Sequence, residues 1–127
     1  MDNFLDNFIL QAHQNDLRFG HYPREYSNLT MRVSFGQGGP AKVPWIGFLS
    51  DGMLISNGFY PVYLYYKDFN VLVLAYGISE TTEHKQTWPY KILENSQKIN
   101  DYLEFNRKYR YGESYIFKAY KIDINND

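Results

Sequence analysis

The chain has 127 residues and a formal net charge of −1, from 13 Lys plus Arg against 14 Asp plus Glu. This length is typical of one domain that buries a core without covalent staples. There is no cysteine, which excludes disulfides, zinc–thiolate sites, iron–sulfur clusters and thiol nucleophiles. The near-zero charge excludes a global attraction to nucleic acid or membrane. Aromatic residues make up 19% of the chain, which suits either a surface that stacks and hydrogen-bonds or a small sheet core.

The N-terminal residues predict a helix and not a targeting signal. Residues 1–12 carry two Asp and no basic residue, so they do not form a signal peptide. No apolar run approaches the ~20 residues that a membrane helix requires. Apolar residues at helical spacing predict an amphipathic helix from Asp2 or Asn3 to about Leu17. Its apolar face consists of Phe4, Leu5, Phe8, Ile9 and Ala12.

Strands are predicted where β-forming side chains lie between turn residues. The predicted strands cover residues 31–35, 45–49, 60–66, 71–76 and 115–122. The third and fourth form the strongest hairpin, after a turn at 56–58, and the continuous apolar run of the fourth indicates a central strand. Pro61 is expected at the start or edge of its strand, because proline cannot donate to the ladder.

A second helix is predicted from Asn95 to Phe105, where Ile99, Tyr102 and Leu103 have helical spacing. The order of the predicted elements indicates an α+β fold. We expect a single domain over residues 1–127, with a central antiparallel or mixed sheet of about five to six strands flanked by helices.

Motifs for catalysis and metal binding are missing from the sequence. His13, His21 and His84 share no ligand spacing such as H-E-x-x-H. No G-x-S-x-G elbow surrounds a serine. The glycine-rich run 36–42 lacks the Gly-Lys-Ser/Thr that leads a helix in a P-loop. We therefore expect this domain to be no enzyme and to hold no metal or cofactor.

Two segments are candidates for ligand contact. The loop Gly36–Gly39 can bring its backbone close to a ligand and expose Gln37 at its tip, although a tight loop that merely needs positive φ remains an alternative. The segment 106–111 interleaves Arg107, Lys108 and Arg110 with two tyrosines. That pattern suits phosphate tracking and base stacking, and a solvated turn is the alternative.

A series of longer motifs then runs from about Phe4 to Tyr115. They are Tyr22-Pro23 with Tyr26-Ser27-Asn28-Leu29; Arg32-Val33-Ser34-Phe35-Gly36-x-Gly38; Pro44-Trp45-x-x-Phe48-Leu49; Ser56-Asn57-Gly58-x-Tyr60-Pro61-Val62-x-Leu64-Tyr65-Tyr66-Lys67-Asp68-Phe69; and Leu74-Ala75-Tyr76-Gly77-Ile78-Ser79. Together they resemble the N-terminal domain family of McrB, the DNA-recognising, GTP-hydrolysing subunit of bacterial modification-dependent restriction systems. The resemblance thins between Glu83 and Lys108.

The resemblance implies that residues 1–127 are a recognition domain for double-stranded DNA with methylated cytosine, such as 5-methylcytosine. It further implies a longer protein with a C-terminal AAA+ GTPase module, where GTP and Mg²⁺ would bind. An McrC-like nuclease subunit would be the partner of that longer protein. The expected setting is the bacterial cytoplasm, in defence against phage, without membrane contact.

The resemblance also implies roles for particular residues. The family's pocket for a flipped base falls on Trp45, Tyr60, Leu64 and Tyr111. The loop Gly36, Gln37, Gly38 and Gly39 would carry the wedge that fills the gap in the duplex. Gln37 stands where the family relative has tyrosine, and its amide could hydrogen-bond the orphaned guanine instead of stacking. Expected contacts to the DNA backbone are Lys42, Arg107, Lys108 and Arg110.

Two other functions are compatible with the residues alone. A module for single-stranded nucleic acid or modified RNA would use similar aromatic and cationic side chains. A protein-interaction domain would use the tyrosines against a partner chain and would show no salt-dependent DNA affinity.

Overall fold

The structure is a computed structural model that describes residues 3–50, 59–78, 94, 96–103 and 110–123. Its elements are α1 (Asn3–Ala12), β1 (Glu25–Tyr26), β2 (Leu29–Ser34), β3 (Trp45–Leu49), β4 (Phe59–Tyr66), β5 (Val71–Ile78), α2 (Ile99–Leu103) and β6 (Tyr115–Lys121). The strands form one six-stranded sheet in chain order. Every neighbouring pair is antiparallel. The α+β class and the predicted strand number are confirmed.

Both strands of the β4–β5 hairpin have a neighbouring strand on each side. Its ladder runs from Phe59↔Ile78 to Tyr66↔Val71, and β5 also pairs with β6, which confirms the prediction of a central strand. The β3–β4 ladder ends at Gly47↔Val62. Tyr65 donates its N–H to the Pro44 carbonyl on the β3 side. Pro61 lies four residues earlier, so an N–H at that position would also point towards β3. The ladder with β3 has already ended there, and the proline therefore removes no ladder hydrogen bond.

Each face of the sheet carries an apolar cluster, and alternate side chains of a strand contribute to opposite faces. On the helix-1 face, α1 packs on the sheet through Leu5, Phe8, Ile9 and Ala12, against Met31, Val33, Ile46, Phe48, Tyr65 and Leu72. On the helix-2 face, α2 packs through Ile99 and Leu103, against Val62, Leu64, Tyr66, Val71, Val73 and Ala75. Hydrophobic burial on two sides explains how a sheet of this size is stabilised.

Several element boundaries differ from the sequence prediction, and one strand was not predicted. Helix α1 ends at Ala12 and not near Leu17, because the Gln11 amide donates to the carbonyls of Asp16 (2.9 Å) and Arg18 (2.6 Å) and turns the chain back. Strand β2 begins two residues earlier than predicted, at Leu29. Strand β1 was not predicted, because two residues are too short for an alternating pattern.

Other predictions fall partly outside the described residues. The predicted helix from 95 to 105 is observed as α2, which begins only at Ile99. The predicted start was wrong, because residues 96–98 are not helical and Lys98 instead forms an antiparallel β-bridge with Tyr115. Residues 95, 104 and 105 are not described. The predicted turn at 56–58 also lies outside the described residues. Within the described residues, none of the helices is long and apolar enough to cross a membrane.

Candidate functional site

The residues expected to form the base pocket lie together on the helix-2 face. Trp45 and Leu64 are paired across the β3–β4 ladder. Tyr60 lies four residues before Leu64 on the same strand and therefore on the same face. Tyr111, in the turn before β6, packs against the same apolar cluster. The fold thus brings all four side chains into one cluster.

These four side chains differ in exposure. Leu64 is only 1% exposed, whereas Trp45, Tyr60 and Tyr111 are half-buried. Leu64 is therefore the buried floor of the cluster, and the three aromatic residues are its more accessible members. A planar ligand that approaches this cluster meets the rings before it meets Leu64.

The phenol of Tyr60 stays neutral well above physiological pH. Burial raises its pKa to about 12, and the neighbouring Tyr111 phenol contributes to the rise. A neutral phenol both donates and accepts a hydrogen bond. The cluster therefore combines apolar side chains with neutral phenols, as ligand pockets commonly combine apolar walls with a few polar groups.

Tyr111 is held in a left-handed backbone conformation, with φ of 59°. The Tyr66 hydroxyl donates to the Arg110 carbonyl at 2.6 Å, and the Ser114 N–H donates to the Tyr111 carbonyl. The next residue, Gly112, leaves room for the Asn100 side chain, which a Cβ at position 112 would overlap. These contacts fix the turn that carries the Tyr111 ring.

The predicted backbone contacts are only partly described. Arg110 is exposed, and its guanidinium lies 4.9 Å from the centroid of the Tyr111 ring. Lys42 is exposed after the glycine-rich loop. Arg107 and Lys108 lie outside the described residues.

The loop between β2 and β3 has the conformation that its glycines allow. Gly36 and Gly38 have φ of 116° and 74°. A Cβ on Gly36 would overlap the Gly39 carbonyl oxygen, and the Ala41 N–H closes the loop by donating to the Phe35 carbonyl at 2.9 Å. Gln37 is exposed at the tip.

A cleft of about 720 Å³ runs along β2 where the short β1 stops. Its walls include residues 19, 20 and 22–24, residues 30–34 of β2, Gly36 and Gln37 of the loop, and Trp45 of β3. The cleft therefore joins the predicted wedge loop to one of the predicted pocket rings.

Gln11, which is 7% exposed, holds the segment that forms the outer wall of the cleft through hydrogen bonds. The Gln11 side-chain oxygen accepts a hydrogen bond from the Tyr22 hydroxyl (3.0 Å) and lies 3.1 Å from His21 Nε2. Its amide nitrogen donates to the carbonyls of Asp16 and Arg18. One buried side chain thus holds the segment 16–22 in the shape that the cleft requires.

Two arginines in the cleft were missed by sequence reasoning. Arg24 and Arg32 both line it and are exposed. Arg32 occupies the polar position of an alternating strand, which was the available signal. Arg24 gave no signal, because its position depends on how the segment 19–24 packs beside β2.

Comparison with known proteins identifies the family of this chain. The family described as MrcB-like, N-terminal domain, matches residues 5–125. The chain is also 40% identical, over 123 residues, to the Type IV methyl-directed restriction enzyme EcoKMcrB subunit of Escherichia coli (strain K12). That match covers 94% of this chain and 27% of the relative, so the chain spans about a quarter of the relative's length. The chain belongs to the MrcB-like N-terminal domain family.

Proposed function

We propose that this domain binds duplex DNA carrying a methylated cytosine, as the recognition module of a modification-dependent restriction system. The observation that carries the proposal is that Trp45, Tyr60 and Tyr111 pack against the one apolar cluster that contains Leu64. Family membership supports it, as does the relative's description as a methyl-directed restriction enzyme subunit.

The proposed mechanism is extrusion of the modified base into this cluster. Flipping a base costs on the order of a few kcal/mol in lost stacking and pairing. Stacking on an aromatic side chain returns about 1–3 kcal/mol per base. Trp45, Tyr60 and Tyr111 can together offset the cost, while the neutral Tyr60 phenol hydrogen-bonds the edge of the base.

The loop Gly36–Gly39 has the complementary role in this mechanism. Gln37 at its tip enters the gap left by the flipped base and hydrogen-bonds the orphaned guanine. Lys42 and Arg110, both exposed, contact phosphates, as do Arg107 and Lys108.

The rest of the mechanism belongs to the longer protein that we propose this domain serves. The domain itself is non-catalytic and holds no cofactor. A C-terminal GTPase module would bind GTP and Mg²⁺, and an McrC-like nuclease subunit would join through it. The proposed setting is the bacterial cytoplasm.

A binding panel tests this function. Affinities are compared for matched duplexes carrying cytosine, C5-methylcytosine, N4-methylcytosine or N6-methyladenine at one position. Burying one methyl group is worth about 0.8 kcal/mol, or roughly fourfold in affinity. We expect one of the methylcytosine duplexes to bind about three- to thirtyfold more tightly than the plain duplex. Equal binding of all four would contradict the proposed recognition, and a ratio above about a thousand would contradict the methyl-burial account.

The same panel includes the corresponding single strands. A single-strand module would prefer them to the duplexes, and a protein-interaction domain would bind neither in a salt-dependent manner.

A further inference from the structure

We infer that the cleft along β2 is a phosphate-binding site for the DNA backbone, with Arg24 and Arg32 as its cationic contacts. This inference rests on the proposed function, and it assigns residues that lie apart from Lys42 and the segment 106–111. The ligand is a phosphodiester of the strand that carries the flipped nucleotide.

The charge of the cleft is the first support. Arg24 and Arg32 are the charged residues among those described as lining it, and none of the described lining residues is acidic. Neither arginine forms an ion pair with any residue that the structure describes, whereas Arg18 is paired with Asp16 at 2.9 Å. Two exposed guanidinium groups without a carboxylate partner suit bidentate contacts to phosphate oxygens.

The register of the sheet is the second support. Ser34 pairs with Trp45 across β2 and β3, and Trp45 pairs with Leu64 across β3 and β4. Trp45 therefore stands between the cleft and the floor of the aromatic cluster. Arg32 is on the same face as Ser34, two residues away, and it pairs with Gly47, which has no side chain to fill the space beside it. A nucleotide whose base stacks near Trp45 thus has its backbone within reach of Arg32.

Arg24 lies in the other wall of the cleft, and its position is the third support. The Met31 N–H donates to the Arg24 carbonyl at 2.8 Å, which fixes the backbone of Arg24 against the edge of β2. Thr30 and Ser34 add hydroxyl groups to the lining, and hydroxyls commonly contact phosphate and sugar oxygens. Gln37 also lines the cleft. The DNA strand that contacts the two arginines can therefore pass the loop that enters the duplex.

The test measures binding of methylated and plain duplexes at several salt concentrations for Arg24→Ala, Arg32→Ala and the matched control Arg18→Ala. Arg18 is an arginine of the neighbouring loop that does not line the cleft. We expect each cleft variant to weaken both duplexes by about tenfold. Its log–log salt slope should be shallower by about 0.9, the value for one lost phosphate contact. Arg18→Ala should behave as wild type.

Arg32→Lys is the control for a loss of binding that results from a change in the fold. It keeps the positive charge, so it should retain most of the wild-type salt slope. Cleft variants that bind both duplexes with wild-type affinity and slope would overturn the inference, and so would variants that lose only the methylated duplex. Failure of the wild-type domain to bind any duplex would instead reject the proposed function.

Discussion

Trp45 lies directly across the β3–β4 ladder from Leu64, yet the two residues have different environments. Leu64 is 1% exposed, whereas Trp45 is half-buried and also lines the cleft along β2. One cross-strand pair therefore combines a core residue with a residue that a ligand can reach. The two residues should respond differently to truncation.

Leu64→Ala should act on the fold and Trp45→Ala on binding. Removing a buried leucine side chain costs about 2–5 kcal/mol in the free energy of unfolding. Loss of the Trp45 ring should weaken binding of the methylated duplex by about five- to a hundredfold, the equivalent of one stacking contact. Denaturant unfolding and duplex titration separate the two effects. Trp45→Phe, which keeps a ring, is the control and should recover much of the affinity. A Trp45→Ala variant that is destabilised as much as Leu64→Ala but binds normally would contradict this assignment.

Substitutions of Gln37 should change affinity without changing selectivity. Gln37→Tyr replaces a hydrogen-bonding tip with a stacking one and should tighten binding of methylated and plain duplexes by a similar factor, because the gap in the duplex is the same for both. Gln37→Ala should weaken both by a similar factor. The measurement is the pair of dissociation constants for each variant at one salt concentration. A selectivity ratio that shifts strongly with residue 37 would show that the loop, and not the aromatic cluster, reads the modification.

Gly36→Ala should deform the loop, whereas Gly39→Ala should be tolerated. Gly36 has φ of 116°, and its added Cβ would overlap the Gly39 carbonyl oxygen. Gly39 has open space where a Cβ would be added and no positive φ. We expect Gly36→Ala to lose about 1–3 kcal/mol of stability from backbone strain and to weaken duplex binding, with Gly39→Ala close to wild type in both. Equal thermal unfolding of the two variants would argue against the loop geometry.

The stability of the domain should fall in alkaline solution, in part through Tyr60. Its pKa is about 12 in the folded protein against 10 in the unfolded chain. Between these values the folded state keeps a proton that the unfolded state has lost, so the free energy of unfolding decreases as pH rises from about 10 to 12. Tyr22, with a pKa also raised to about 12 by burial, has the same effect.

Tyr60→Phe removes one of these titrating groups. Its free energy of unfolding should fall less steeply above pH 10 than that of the wild type. The difference in slope against pH should be at most that expected for the release of about one proton. Denaturant unfolding at pH 7 to 9 supplies the baseline, where the difference between the two proteins should be constant. Parallel pH profiles up to pH 12 would show that the Tyr60 phenol is not shielded from water.

The sequence was most informative where local pattern and tertiary structure agree. The strand Trp45–Leu49 was predicted with its observed bounds, because an apolar run between turn residues has few alternatives. The predicted end of α1 was wrong, because it depends on hydrogen bonds from Gln11 to residues further along the chain. The register that pairs Trp45 with Leu64, and the cleft that gathers Arg24 and Arg32, arise from strand pairing and loop packing. The pattern of a single segment therefore predicts neither the register nor the cleft.

The central claim, extrusion of a modified base into the aromatic cluster, is tested most directly by fluorescence. A duplex carries a fluorescent cytosine analogue at the target position, and a separate label reports saturation by anisotropy. At saturation, the wild-type domain should change the analogue's emission from its value in the free duplex, because the base leaves its stacked neighbours. Trp45→Ala at saturation should restore emission towards that of the free duplex. Complete binding by the wild-type domain with unchanged emission would contradict the claim.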